Sequence, residues 1–174
     1  MKLEPISPGT IIKDRYEIIQ VLGQGGFGRT YLAKELDRFK ELCVLKEFCP
    51  SGSGEYVLNK SRELFTREAE VLYKLKHPQI PQFRAWFEET DRLFLVQDYI
   101  QGKTYGDLLN LRRIEGRTFS EAEVIQWLRD LLPVLDYIHS QNIIHRDISP
   151  DNIMLPDGGT KPILIDFGVV KQAM

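Results

Sequence analysis

Two short motifs constrain this chain most: His145-Arg146-Asp147-Ile148-Ser149-Pro150-Asp151-Asn152 and, fourteen residues after Asn152, Asp166-Phe167-Gly168. An acid, an amide and a second acid lie near the ends of short apolar stretches read as strands, 142–144, 153–155 and 163–165. Pro156-Asp157-Gly158-Gly159 supplies the turn between the last two. Carboxylate and amide oxygens of this kind suit Mg²⁺. Asp147 can accept the proton of an attacking hydroxyl, while Asn152 and Asp166 hold the metal.

Upstream, Gly23-Gln24-Gly25-Gly26-Phe27-Gly28 is a G-x-G-x-x-G cluster. Such a cluster binds dinucleotides only when it opens a helix after a strand. Here a strand-like run precedes it, Tyr16 to Leu22, and another follows, Thr30 to Leu36. A glycine loop between two strands lets backbone N–H groups approach phosphate oxygens with no Cβ in the way. Taken alone, the cluster is equally a glycine turn without a ligand.

Lys46 stands in the apolar run Val44-Leu45-Lys46-Glu47-Phe48 of a third strand, 41–48. Burying a lysine there is costly without a partner. Glu68 is the candidate, on the helix after the flexible break Ser51-Gly52-Ser53-Gly54; Glu70 lies about 200° further round that helix and faces away. The competing reading of Lys46 by itself is a strand-edge side chain reaching water. The three signals in this order and spacing are not a coincidence.

The helix carrying Glu68 is expected to start near Ser61 as N-cap, with Leu64, Phe65, Ala69, Leu72 and Leu75 on its apolar face, and to end at His77-Pro78. Strands follow around 83–87 and 93–99, then a joint at Gly102. A second long helix begins at Ser120, with Ser120 and Glu123 as a capping box. Its buried stripe is expected to be Trp127, Leu128, Leu131, Leu132, Leu135 and Ile138, with a kink at Pro133.

Composition excludes several classes. Net charge is −2, which offers no basic footprint for nucleic acid and no polybasic membrane patch. No apolar run approaches the roughly 20 residues needed to span a bilayer. The two cysteines, Cys43 and Cys49, lack the partners of a zinc site and read as reduced thiols of a cytoplasmic protein.

With these residues in place, the chain resembles the bacterial, cyanobacterial-type eukaryotic-like serine/threonine protein kinases over about residues 14–172. The stretches Leu-Gly-Gln-Gly-Gly-Phe-Gly-Arg-Thr (22–30), His-Pro-Gln-Ile-Pro (77–81) and Leu-Ile-Asp-Phe-Gly-Val-Val-Lys-Gln (164–172) carry the likeness. The resemblance implies an α+β, protein-kinase-like fold. Residues 1–13 form a lead-in, 14–97 a five-stranded antiparallel small lobe with one helix, 98–102 a hinge, and 103–174 the start of a mainly helical large lobe.

It also implies ATP and Mg²⁺ as cofactors and transfer of the γ-phosphate to a protein hydroxyl. Lys46 would hold the α- and β-phosphates and pair with Glu68; Asp147 would be the catalytic base; Asn152 and Asp166 would bind Mg²⁺. Leu22, Gly23, Gln24, Gly25, Gly26, Phe27 and Gly28 would cover the phosphates. Asp98 and Ile100 would hold adenine through backbone groups, with Gln97 behind it, Thr30 and Val44 above and Met154 below. Leu72, Phe83, His145 and Phe167 would stack as an internal column, and Arg146 beside Asp147 implies regulation by activation-loop phosphorylation.

Departures from the family pattern are Ser149 in place of the usual lysine, Thr30 for valine and Val44 for alanine. The chain also stops six residues after Gly168, before the activation segment, the A-P-E motif and the later helices. The expectation is a fragment of a longer kinase or a truncated reading frame, with part of the Ser120 helix stripe uncovered. The alternatives are a nucleotide-binding pseudokinase or scaffold and a small-molecule kinase of the aminoglycoside or choline type.

Overall fold

The fold is that of a computed structural model, which describes residues 4–24, 28–49, 54–90, 92–168 and 171–172. The chain divides into two compact units, Met1–Tyr73 with Gln82–Tyr99, and Lys74–Pro81 with Ile100–Met174. Among the described residues, no helix is long and apolar enough to cross a membrane.

The first unit is an antiparallel sheet of β1 (Ile11–Ile12), β2 (Tyr16–Gln24), β3 (Gly28–Glu35), β4 (Glu41–Phe48), β5 (Phe83–Glu89) and β6 (Arg92–Asp98), in the order β1-β2-β3-β4-β6-β5. One helix, α1 (Glu55–Lys74), accompanies it. The sheet thus has six strands where five were expected. The extra strand, β1, comes from the presumed lead-in: Ile11 and Ile12 pair with Glu17 and Tyr16. Their hairpin turns through Lys13 and Asp14, both at positive φ, which matches the twist of the flanking strands.

Period-2 alternation gives the sheet two buried faces. On one, Tyr16, Ile18, Tyr31, Ala33, Cys43, Leu45, Phe87, Phe94 and Val96 form a core that Ile6 and Ile12 of the N-terminal segment complete. Tyr16 stacks on Phe87 at 5.6 Å. At its margin lies a buried polar knot. Glu47, wholly buried, receives Tyr31 Oη at 2.7 Å, Arg29 Nη1 at 3.2 Å and Arg92 Nη1 at 2.6 Å. Tyr31 Oη also accepts the Ile6 N–H at 3.1 Å, and Arg92 donates to the Glu4 carbonyl at 3.1 Å. Those bonds strap residues 4–6 across the sheet.

Helix α1 starts at Glu55, one turn and a half before Ser61, which is a buried mid-helix residue and not the N-cap. Phe65, Glu68, Ala69, Val71 and Leu72 form its buried side, with Leu64 at the margin. The glycine-serine break before it includes Ser51, Gly52 and Ser53, which lie outside the described residues.

The second unit holds β7 (Gly102–Thr104), α2 (Tyr105–Ile114), α3 (Glu121–Ser140), β8 (Ile143–Ile144), β9 (Ile153–Pro156), β10 (Ile163–Leu164) and β11 (Lys171–Gln172). Strands β10, β9 and β7 form one small antiparallel sheet, and β11 pairs with β8. Helix α2 was not anticipated. It opens on a capping box, Thr104 Oγ1 taking the Asp107 N–H at 3.0 Å and Asp107 Oδ2 taking the Thr104 N–H at 3.1 Å. The T-x-x-D signal was present, but Gly106 within the first turn obscured it.

Helix α3 starts at the expected capping box, with the Ser120 N–H on Glu123 Oε2 at 2.8 Å. Arg112 grips the same carboxylate with two bonds, 3.0 and 2.7 Å, and holds it well below the usual range, at about 2. The helix runs unbroken through Pro133. Gln79 spans it to β10, its amide donating to the carbonyls of Asp130 at 2.9 Å and Pro162 at 2.8 Å. The buried stripe is Leu131, Val134 and Ile138; Trp127 and Leu135 are half-buried, and Val124, Ile125, Leu128 and Leu132 are exposed.

The strap makes a stability prediction. Tyr31→Phe leaves the Ile6 N–H and the Glu47 carboxylate each short of one partner inside the protein. The expected loss is about 1–3 kcal/mol in urea unfolding. A loss under about 0.5 kcal/mol shows that the hydroxyl does not tie the segment down.

Candidate functional site

In the first unit, strand register sets the site residues. Thr30 lies opposite Lys46, Leu32 opposite Val44, and Val44 opposite Gln97. Alternation therefore puts Thr30, Val44, Lys46 and Gln97 on one sheet face, the face opposite the strapped core. On that face Phe48 meets Phe65 of α1, ring centroids 5.4 Å apart. Lys46 is two residues before Phe48 and Glu68 three residues after Phe65, so the same packing brings the charges together. Lys46 Nζ reaches Glu68 Oε1 at 2.5 Å, with both side chains largely buried. Glu70 is exposed, on the other side of the helix.

The glycine cluster is partly described: Gly23 and Gln24 end β2 and Gly28 begins β3, while Gly25, Gly26 and Phe27 lie outside the described residues. A Cβ on Gly28 would stand 2.5 Å from the Glu47 carbonyl oxygen, so only glycine permits that approach of β3 to β4. Leu22, just before the cluster, is exposed. Asp98 closes β6. Its carboxylate takes Arg84 Nε at 2.7 Å and the Gln82 N–H at 3.3 Å.

In the second unit the motif residues converge. Asn152 Nδ2 donates to Asp147 Oδ2 at 2.8 Å and to the Asp147 carbonyl at 2.9 Å. With its nitrogen so engaged, the oxygen Oδ1 is the atom Asn152 can offer a cation. The β9–β10 ladder pairs Met154 with Ile163 and Ile153 with Leu164, and the Ile165 N–H continues it onto the Asn152 carbonyl at 2.9 Å. Asn152 and the exposed Asp166 thus emerge at the same end of one hairpin. An amide oxygen and a carboxylate fit a hard cation that takes its remaining ligands from phosphate and water. Among the described residues no group of three or more His, Cys, Asp and Glu forms a metal cluster by itself.

His145 and Phe167 brace this arrangement. Their rings meet edge to face at 4.9 Å, and both are buried. His145 Nδ1 accepts the Asp147 N–H at 3.4 Å, so the proton on Nε2 points to the Ile165 carbonyl at 3.2 Å. The ring therefore links both motifs. Arg146 and Asp166 take positive φ, 70° and 60°, a sparsely populated region for non-glycine residues. Of the proposed column, each unit holds its own half: Leu72 is buried and Phe83 half-buried in the first, His145 and Phe167 in the second. Ile100 and Met154 are half-buried members of the second unit.

Two groups were not legible beforehand. Arg84 has its partners 14 and 49 residues away, at Asp98 and Glu35, and carries no local signal. Tyr31 and Glu47 read as ordinary strand residues, since their polar atoms meet only in the folded sheet.

Residues 16–174 match the protein kinase domain. The chain is 45% identical over 163 residues to serine/threonine-protein kinase-like protein E of Synechocystis sp., covering 93% of this chain and 26% of that protein. It is 42% identical over 172 residues to serine/threonine-protein kinase C of the same organism, covering 97% and 31%. It is 39% identical over 167 residues to serine/threonine-protein kinase PknA of Nostoc sp., covering 94% and 29%. The chain therefore spans about a quarter to a third of the length of these relatives. A solved structure titled PpkA-294 apo form superposes with a TM-score of 0.80 at 26% identity, covering 94% of this chain and 62% of that one. By sequence and by fold, this chain belongs to the protein kinase domain family.

Proposed function

We propose that the chain is the ATP-binding and catalytic-loop region of a protein serine/threonine kinase. The observation that carries this is the Asp147–Asn152 bond, which fixes a carboxylate oxygen beside an amide whose other end is an oxygen donor. Asp147 accepts the proton of a substrate hydroxyl as its oxygen bonds to the γ-phosphorus, and the phosphorus–oxygen bond to ADP breaks. Asn152 keeps that carboxylate oriented. Lys46, fixed by Glu68, holds the α- and β-phosphates in line. The Gly23–Gly28 loop covers the phosphates, with Leu22, Thr30, Val44 and Gln97 on the base side, and Asp98 and Ile100 hold the base by backbone groups. Met154 adds an apolar contact to the base. Asn152 and Asp166 would hold Mg²⁺, which would supply neutralisation of charge on the phosphate oxygens.

The same reading places the protein in cytoplasmic signalling, with a serine- or threonine-bearing protein as substrate. Free cysteines agree with a reducing compartment: burial pushes the Cys43 thiol up to about 12 and the Cys49 thiol up to about 11, so neither is reactive.

Saturating Mg²⁺–ATP should raise the melting temperature of the chain by mass action. A folded sample that shows no shift, and no heat in titration calorimetry, overturns the proposal. In the intact protein, Asp147→Asn should lower phosphotransfer by about 10²–10⁴-fold while ATP affinity changes by less than about twofold. Retention of more than about a tenth of the activity removes Asp147 from the role of base. No basic residue lies between Asp147 and Asn152. Ser149→Lys adds a charge-assisted bond to the transferring group, worth roughly 1.5–3 kcal/mol. It should raise kcat by about 10–100-fold. An unchanged kcat shows that another cation already serves there.

A further inference from the structure

The hinge end of β6 is held by an arginine that the proposed reaction does not use. Strands β5 and β6 pair regularly from Glu89–Arg92 up to Ala85–Val96, and then the register shifts before Phe83–Gln97. Arg84 is the residue inside that irregularity. A bulge re-aims a side chain and is common beside functional sites. Here it sends Arg84 along the sheet edge into a set of carboxylates.

Its Nε donates to Asp98 Oδ1 at 2.7 Å, Nη1 to Glu35 Oε2 at 2.9 Å, and Nη2 approaches Glu41 Oε2 at 3.1 Å. One guanidinium therefore joins the end of β3, the start of β4 and the end of β6. The anchor is firm: Glu35 is wholly buried and also receives Arg15 through its other oxygen, and Arg84 is only 10% exposed. Asp98 is held a second way. Its N–H donates to the Gln82 carbonyl at 3.0 Å, and the Gln82 N–H returns to Asp98 Oδ2 at 3.3 Å. Side chain and N–H of Asp98 are thus fixed together, which leaves one backbone torsion between that anchor and the Asp98 carbonyl.

We propose that Arg84 is a positioning residue for base recognition: through the Asp98 carboxylate it anchors Asp98, limits rotation of the peptide that carries its carbonyl, and so sets a preference for adenine over guanine nucleotides. The inference rests on the proposed role of Asp98. The Asp98 carbonyl is an acceptor only. It matches the 6-amino donor of adenine and opposes the 6-oxo acceptor of guanine. A peptide held still keeps that mismatch, whereas a peptide free to rotate can present its neighbour's N–H instead. Sites built around fixed polar partners reject the mismatched analogue strongly, because a buried group is left unpaired. Arginine suits the task because its rigid fork satisfies three carboxylates at once; an ammonium cannot reproduce that geometry.

The test compares the unaltered chain with Arg84→Met, Arg84→Lys and Asp98→Asn. Titration calorimetry measures Mg²⁺–ATP and Mg²⁺–GTP on each, and amide hydrogen exchange of Asp98 is followed without nucleotide. Arg84→Met should weaken ATP roughly tenfold, the effect of one lost charge-assisted bond, with GTP changing less than about twofold, so that the ATP-to-GTP ratio falls. Asp98 exchange should quicken, and Arg84→Lys should recover the ratio only in part. Should Arg84→Met not fold, Asp98→Asn carries the test with the same expected fall in ratio. Equal weakening of both nucleotides in the variant that carries the comparison means a structural role alone and overturns the inference. Unchanged Asp98 exchange in that variant also overturns it, whatever the nucleotides do. An unaltered chain that binds neither nucleotide overturns the proposed function, and this inference with it.

Discussion

Two adjacent charges in the middle of one central strand organise the first unit. Lys46 and Glu47 follow one another on β4, so the pleat sends them to opposite faces. Both faces are buried, and neither charge can be left there alone. On one side Lys46 needs an acid, and α1 supplies Glu68 while packing Phe65 on Phe48. On the other, Glu47 needs cations and donors, and Arg29, Arg92 and Tyr31 supply them. The second solution recruits the N-terminal segment, because Tyr31 and Arg92 also bond to the backbone of Ile6 and Glu4. What covers the sheet on either side therefore follows from one dipeptide. Lys46 is held in place here because the strand carrying it is tied down on both faces.

The second unit solves a different problem, the convergence of two loops. Asp147 and Asp166 lie on separate motifs; Asn152 bonds to Asp147 itself, and His145 bonds to the carbonyl of Ile165, the residue before Asp166. His145 does this with both ring nitrogens, one toward each motif. The positive φ of Arg146 and Asp166 is strain that this network sustains. Such strain is typical of places where geometry serves chemistry more than stability. Two exposed apolar residues of α3, Val124 and Leu128, line one cavity with Ile148, Ser149 and Pro150 of the first motif.

Much of this was legible beforehand, for a physical reason. Chemistry that needs an acid, an amide, a second acid, a lysine and a glycine loop leaves rare residues at narrow spacings. Glu68 could be chosen over Glu70 because helical periodicity places only one of them on the face of Phe65 and Leu72. Elements with local signatures were readable too, such as the Ser120–Glu123 cap. Helix α2 was missed because Gly106 weakened an otherwise readable start, and α1 was begun late because Ser61 looked like a cap.

What the sequence by itself determined was the family, the set of residues from which the proposed site is drawn, and the alternation that puts Lys46 and Thr30 on one sheet face. Those depend on residue type and on periods of 2 and 3.6, which are local properties of a chain. Only the tertiary structure decided that residues 4–12 complete a core, that Tyr31 and Glu47 form a buried knot, and that a bulge aims Arg84 at Asp98, Glu35 and Glu41. In each case the partners are far apart in sequence, and an exposed strand residue and a buried one look alike until register and covering are set. Ion pairs of that kind exist only because the fold has removed water from around them.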